Sequence, residues 1–120
     1  MKREVIFYKH YFEEFFAKQT KKVQDKIVYV LRIIREIERI PENHLKHLSG
    51  TDGLYEARIK LGSDIYRVIC FFDRGNLVVL LNGFQKKTQK TPKNEIKLAT
   101  RLKEEYYESK GHKDAWSVRK

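Results

Sequence analysis

Residues 54–84 read LYEARIKLGSDIYRVICFFDRGNLVVLLNGF, and this stretch decides the fold. From Tyr55 to Leu61 the chain alternates, with Tyr55, Ala57, Ile59 and Leu61 on one side and Glu56, Arg58 and Lys60 on the other. A period of two is that of a strand with one buried face. Leu61-Gly62-Ser63-Asp64 carries a tight-turn signal, so Ile65 to Phe72 returns as an antiparallel neighbour. Asp73-Arg74-Gly75-Asn76 turns the chain again, and Leu77 to Phe84, nearly all apolar, reads as a strand covered on both sides for much of its length. Three strands joined by short turns form an antiparallel meander.

Working outward, Pro41 to Gly53 is polar and reads as a loop. Before it, Val23, Ile27, Val30, Leu31, Ile34 and Ile37 keep to one face of a helix that Thr20 caps and Pro41 stops, near Ile40. Phe12, Phe15 and Phe16 mark a shorter helix over Lys9–Lys18, and Val5–Tyr8 is a short β-prone run. After the meander, Thr91 as cap and Pro92 at the first helical position open a last helix with Ile96, Ala99, Leu102 and Tyr106 on its apolar face. The expected fold is α+β in the order β-α-α-β-β-β-α. A helical hairpin packs on one face of an antiparallel sheet, and the other face stays partly open for a site. Residues 1–110 read as one domain and 111–120 as a polar tail, expected to be loose.

Composition narrows the partner. In 120 residues, 26 Lys+Arg stand against 16 Asp+Glu, a net charge of +10. A surplus of that size in a small domain favours a polyanion, with nucleic acid the first candidate. The single cysteine, Cys70, lies in an apolar run and reads as a core residue in a reducing compartment. No apolar run approaches the ~20 residues that span a bilayer, so the expected location is the cytoplasm, with no membrane partner. The four histidines make no metal-ligand spacing with Cys or acids, and no cofactor is expected.

Two features carry candidate chemistry. If the first turn centres on Gly62 and Ser63, Leu61 faces Asp64 and Arg58 faces Arg67. Like charges placed opposite each other are destabilising, so an acid such as Glu56 or a bound phosphate is needed to relieve them. Either a structural Arg67–Glu56 ion pair or a phosphate site satisfies that need. The second feature is the run Phe84 to Lys103, with seven basic residues (Lys86, Lys87, Lys90, Lys93, Lys97, Arg101, Lys103) and one acid, Glu95. A phosphate backbone is attracted to such a stretch. Phe84 either ends a strand as a core aromatic or offers a ring on which a base stacks. His47 is a candidate for proton transfer near neutral pH.

Taken together, Gly53-Leu54-Tyr55-Glu56-Ala57-Arg58, Tyr66-Arg67-Val68 and Phe84-Gln85-Lys86-Lys87-Thr88-Gln89-Lys90-Thr91-Pro92 resemble the RelE/ParE superfamily of bacterial toxins, closest to its HigB-like, phage-derived branch. The resemblance covers the chain to about Tyr107. It implies a microbial-ribonuclease-like fold and a type II toxin that cuts mRNA without metal, usually on the ribosome, by attack of the ribose 2′-OH on the adjacent phosphate. It implies a cognate antitoxin, expected to be a helix-turn-helix protein. By position, Arg58 and Arg67 are expected to stabilise the phosphate, and Lys86 and Lys87 to hold the scissile phosphate or the leaving oxygen. Phe84 is expected to form the floor or stack a base, with Lys46, His47, Lys90 and Lys93 as further RNA contacts. Where some RelE members carry a lysine on the first meander strand this chain has Glu56, a candidate general base. Tyr106 and Tyr107 receive no role. A ParE-like toxin acting on gyrase, or an inactive antitoxin-binding module, would share the fold.

Overall fold

Eight elements follow the chain: β1 (Glu4–Phe7), α1 (Tyr11–Ala17), α2 (Lys21–Glu36), β2 (Leu45–His47), β3 (Tyr55–Leu61), β4 (Asp64–Asp73), β5 (Leu77–Lys86) and α3 (Lys93–Arg119). The computed structural model describes residues 2–119, and side chains through Lys110; the side chains of the expected polar tail lie outside the described residues. The strands form one sheet in the order β1-β5-β4-β3-β2. The meander is present in the expected register, with Leu61 opposite Asp64 and Arg58 opposite Arg67. Gly62, at φ +63°, supplies the left-handed residue that this two-residue turn requires.

Three expectations are corrected. The sheet is mixed and not wholly antiparallel, because β1 runs parallel to β5. The polar segment after Pro41 contains an additional edge strand: Leu45, Lys46 and His47 pair with Ala57, Glu56 and Tyr55. Three residues, of which only Leu45 is buried, are too few to show a period. The second helix ends at Glu36 and not near Ile40. Its cap at Ile37 is extended, and the Arg3 guanidinium donates to the carbonyls of Ile34, Ile37 and Glu38 at 2.9, 2.6 and 2.7 Å. The orphan carbonyls of the helix end are thus satisfied by a residue some thirty positions earlier, which no local pattern announces. At the other end, Thr20 caps as expected, accepting from the Val23 amide at 3.3 Å.

The sheet separates two cores. On one face α1 and α2 bury Phe12, Phe15, Ile27, Val30 and Ile34 against Ala57, Ile59, Val68 and Cys70. Gly83 belongs to this face, and a Cβ there would meet the Phe15 ring at 2.4 Å, so α1 lies directly on the strand. On the other face α3 packs Ala99 and Leu102 over Ile69, Phe71, Val79 and Leu81. That face is therefore more covered than expected, and its β3–β5 end near Arg58, Arg67 and Lys86 stays open.

One irregularity sets what that open end contains. Val68 faces Gly83 but Cys70 faces Leu80, so β5 has two residues, Leu81 and Asn82, where β4 has Ile69 alone. This bulge changes the parity of β5. Val79 and Leu81 face α3 before it; after it, Phe84 does. Without the extra residue the alternation would turn Phe84 and Lys86 to the hairpin face.

Candidate nucleic-acid interface

Arg58 and Arg67 lie side by side on β3 and β4, and both guanidiniums converge on one carboxylate. Glu56 Oε1 accepts from Arg58 Nε at 3.2 Å and from Arg67 Nε at 3.3 Å. Its other oxygen, Oε2, accepts from the Thr91 hydroxyl at 2.8 Å. The Glu56 side chain is 3% exposed, that of Arg67 9% and that of Arg58 27%. A buried charge is tolerated when it is paired and hydrogen-bonded. Glu56 meets that condition with three donors from three segments. The ion pair expected as the structural alternative is therefore real, and it coexists with an open site because one carboxylate faces two cations.

Thr91 departs from its expected part. Its hydroxyl turns to Glu56 instead of capping α3, and Pro92 takes the cap position, its carbonyl accepting from the Ile96 amide at 3.2 Å. The lysine-dense loop is thereby tied to the arginine pair.

In front of these groups lie two adjoining hollows of about 540 Å³ each, which share Arg58, Lys86 and Gln89. The first adds Arg67, Lys87, Thr88 and Ser63; the second adds Lys46, Lys90, Thr91, Leu48 and Ile96. The lining thus brings six Lys or Arg side chains against one carboxylate. Burial pushes the Lys86 amine below the usual lysine range; Glu56 opposes this, and the charges of Arg67, Arg58 and Lys46 add to it. Burial likewise lowers Arg67, with Glu56 opposing and Arg58 adding. Lys86 and Arg67 are thus both disfavoured as cations by burial and by neighbouring positive charge, the electrostatic condition for binding an anion.

Of the residues singled out in the sequence, Glu56, Arg58, Arg67, Lys86, Lys87, Lys46 and Lys90 meet in this groove. Three others stand at or beyond its edge. Phe84, 9% exposed, takes the core-aromatic alternative beneath α3 and lines neither hollow. His47 pairs across from Tyr55 with ring centroids 5.2 Å apart, on the sheet face away from Glu56, and touches the groove only at its rim. Lys93 is exposed in the first turn of α3, outside both hollows. Sequence reasoning missed Ser63, Thr88 and Gln89 as lining residues, and Thr91 as a partner of Glu56. The turn, loop and helix-start patterns they sit in say nothing of which way their side chains face.

Three other groups stand apart from the groove. Cys70 is fully buried, its thiol pushed up to about 12 by burial, in keeping with a core residue. Tyr106 and Tyr107 donate to Asp73 at 2.8 and 3.4 Å, six residues beyond Arg67 along β4 and so about 20 Å away. Among the described residues no three His, Cys, Asp or Glu side chains group as a metal-ligand set, and no helix is long and apolar enough to cross a membrane.

Comparison with known proteins identifies the architecture. Residues 14–104 match the family described as "Phage derived protein Gp49-like (DUF891)". No curated protein sequence matches the chain. Among solved structures, a chain of the archaeal RelE–RelB complex from Pyrococcus horikoshii OT3 is similar at 24% identity and a TM-score of 0.52, over 71% of this chain and 96% of that one. A chain of the RelB–RelE antitoxin–toxin complex from Methanococcus jannaschii is similar at 14% identity and a TM-score of 0.52, over 72% of this chain and 99% of that one. At these identities the likeness is one of fold, and the expected RelE-type fold is present.

Proposed function

The chain belongs to the phage-derived Gp49-like family, and on that premise we propose that it is the toxin of a type II toxin–antitoxin pair, a HigB-like endoribonuclease that cuts mRNA in the cytoplasm, on the ribosome, and so arrests translation. The observation that carries this reading is the pair of guanidiniums on Glu56, opening onto a groove with six cations and one acid. A groove of that charge attracts a phosphate backbone, and its two hollows meet at Arg58 and Lys86. The chain's similarity in fold to proteins solved as toxin–antitoxin complexes supports an antitoxin as partner.

In the proposed reaction the scissile phosphate lies against Arg58 and Arg67. The 2′-oxygen of the preceding ribose forms a new bond to phosphorus and gives its proton to water at the open mouth of the groove. The bond to the 5′-oxygen breaks, leaving a 2′,3′-cyclic phosphate. The arginines stabilise the charge that develops on the phosphoryl oxygens. Lys86, whose amine is already pushed down, supplies a proton to the departing 5′-oxygen, and Lys87 holds the downstream backbone. Glu56 is a positioning residue in this scheme: its two oxygens accept from Arg58, Arg67 and Thr91 and so hold the arginines in place. Since Lys86 must be protonated to act, cleavage falls on the alkaline side at a pH below the ordinary lysine range, and Lys86→Arg moves that limb upward.

The test is induction of the wild type, Arg67→Ala and Lys87→Ala, with mRNA ends mapped by primer extension. New ends with the wild type and none with the variants are expected. Growth arrest with intact mRNA and poisoned gyrase would overturn the reading in favour of a ParE-like toxin. Unimpeded growth would leave an inactive antitoxin-binding module.

A further inference from the structure

At the edge of the sheet, on the hairpin side and away from the groove, β1 ends the strand order with one side unpaired. The amides of Glu4 and Tyr8 donate to Asn76 and Leu80 on the β5 side, each at 3.0 Å. Alternation along a strand therefore turns the N–H groups of Val5 and Phe7 outward. Exposed edges are ordinarily blunted with charges, proline or bulges because they invite another strand. This one presents Val5 and Phe7, and the Phe7 side chain is 47% exposed.

Beside that edge lies a hollow of about 210 Å³ against α2, floored by Val5, Val28 and Leu31 and rimmed by Arg32 and Arg35. Val28 is 41% exposed although it sits on a helix whose apolar stripe faces the core. Arg35 pairs with Glu36 at 2.7 Å, whereas Arg32 has no ion pair among the described residues. The edge thus combines outward backbone donors, an apolar socket and a cationic rim.

We propose that this edge is the docking site for an extended, acidic segment of a protein partner, which adds as a strand to β1, seats an apolar side chain between Val5, Val28 and Leu31, and brings carboxylates to Arg32 and Arg35. Strand addition draws affinity from main-chain hydrogen bonds and specificity from alternate side-chain pockets, and both are provided here. Nucleic acid fits less well, because the floor of the hollow, Val5, Val28 and Leu31, is apolar. A second copy of the chain fits less well too, since each would set its own arginines against the other's in a molecule of net charge +10. The inference rests on the reading of the chain as one half of a toxin–antitoxin pair, and identifies the partner as the antitoxin. The docking edge and the groove lie on different faces, so partner binding and RNA cleavage are separable by mutation.

The experiment titrates the purified product of the adjoining gene against the full-length wild-type chain and against the double variant Val28→Glu/Arg32→Glu. Both positions are exposed, and thermal unfolding checks that the variant folds. Its dissociation constant is expected to rise by roughly a hundredfold, with RNA cleavage unchanged. Hydrogen exchange at the Val5 and Phe7 amides of the wild type is expected to slow in the complex. Undiminished affinity of the variant together with unprotected amides overturns the docking site and leaves the toxin–antitoxin reading standing. No binding to the wild type overturns the pairing itself, and the inference with it. Loss of RNA affinity, or of self-association, in place of partner affinity would reassign the face to nucleic acid or to a second copy.

Discussion

Glu56 and Asp73 are both buried acids on the α3 side of the sheet, yet their surroundings have opposite consequences. Asp73 accepts from Lys110 at 2.5 Å and from the Tyr106 hydroxyl at 2.8 Å, with Tyr107 at 3.4 Å. One acid there accepts from one ammonium and two neutral donors, all from α3. Glu56 meets two guanidiniums, with further lysines beyond them and solvent in front. The first arrangement closes a helix onto the sheet. The second leaves positive charge unspent at an open surface. A buried acid marks an anchor when its partners are consumed inside the fold and a site when they exceed it.

The strongest way to break that contrast is to remove a cation from the open end. Arg67→Ala should lower kcat/KM for RNA cleavage by roughly 10²–10³, or about 3–4 kcal/mol, as expected for loss of one group aimed at a developing oxyanion. Single-turnover cleavage checks it, and a loss under threefold would place the chemistry elsewhere.

The same operation at the other end should act on stability alone. Asp73→Asn leaves Lys110 without its counter-charge and should cost about 2 kcal/mol in denaturant unfolding, with cleavage per folded molecule unchanged. Burial pushes the Asp73 carboxyl up, but the hydrogen bonds from Lys110 and Tyr106 and the charges of Lys110 and Arg74 outweigh it, so its pKa lies below the ordinary aspartate value. A carboxylate depressed in the folded state contributes stability that is present above its unfolded pKa, about 3.9, and lost as pH falls through the lower folded value. Stability of the wild type should therefore decline below about pH 4, more steeply than that of Asp73→Asn. Parallel acid titrations of the two would contradict the anchor.

Glu56→Gln sharpens the comparison from within the site. It removes the only carboxylate lining the groove among the described residues, so RNA should bind at least as tightly as before. The arginines lose their common counter-charge, so kcat should fall about tenfold, roughly 1.4 kcal/mol, and Glu56→Asp should recover part of the loss. A fall in affinity with kcat intact would make Glu56 a binding residue. Thr91→Val, which cuts only the tie between the lysine loop and Glu56, should reduce cleavage by no more than a few fold, about 0.5–1 kcal/mol.

Much of the meander is legible in the sequence. The turn at Gly62 and Ser63 fixes which residues face each other, so the Arg58–Arg67 pair and the need for Glu56 follow from counting. The Thr20 cap was legible for the same local reason. The early end of α2 was not, because Arg3 holds its carbonyls from the far end of the chain. The β2 strand was hidden by its length, and the parallel pairing of β1 with β5 joins segments some seventy residues apart. Which alternative Phe84 takes, and that His47 lies at the rim, was not legible because a strand residue's face depends on bulges and edges that its own residue type does not reveal.

Lys86 shows the division most clearly. Its place in a basic run after an apolar strand could be read from the sequence, as could the side-by-side arginines, since both depend on turn geometry and two-residue alternation. Which face of the sheet Lys86 occupies was decided by the extra residue at Leu81–Asn82. That bulge is held by contacts distant in sequence: Leu81 packs under α3, and the Asn82 amide donates to the Glu95 carbonyl and carboxylate at 3.1 and 2.9 Å. Local sequence determined that arginines and lysines would lie near one another. Only tertiary packing, by shifting the parity of β5, aimed them into one groove.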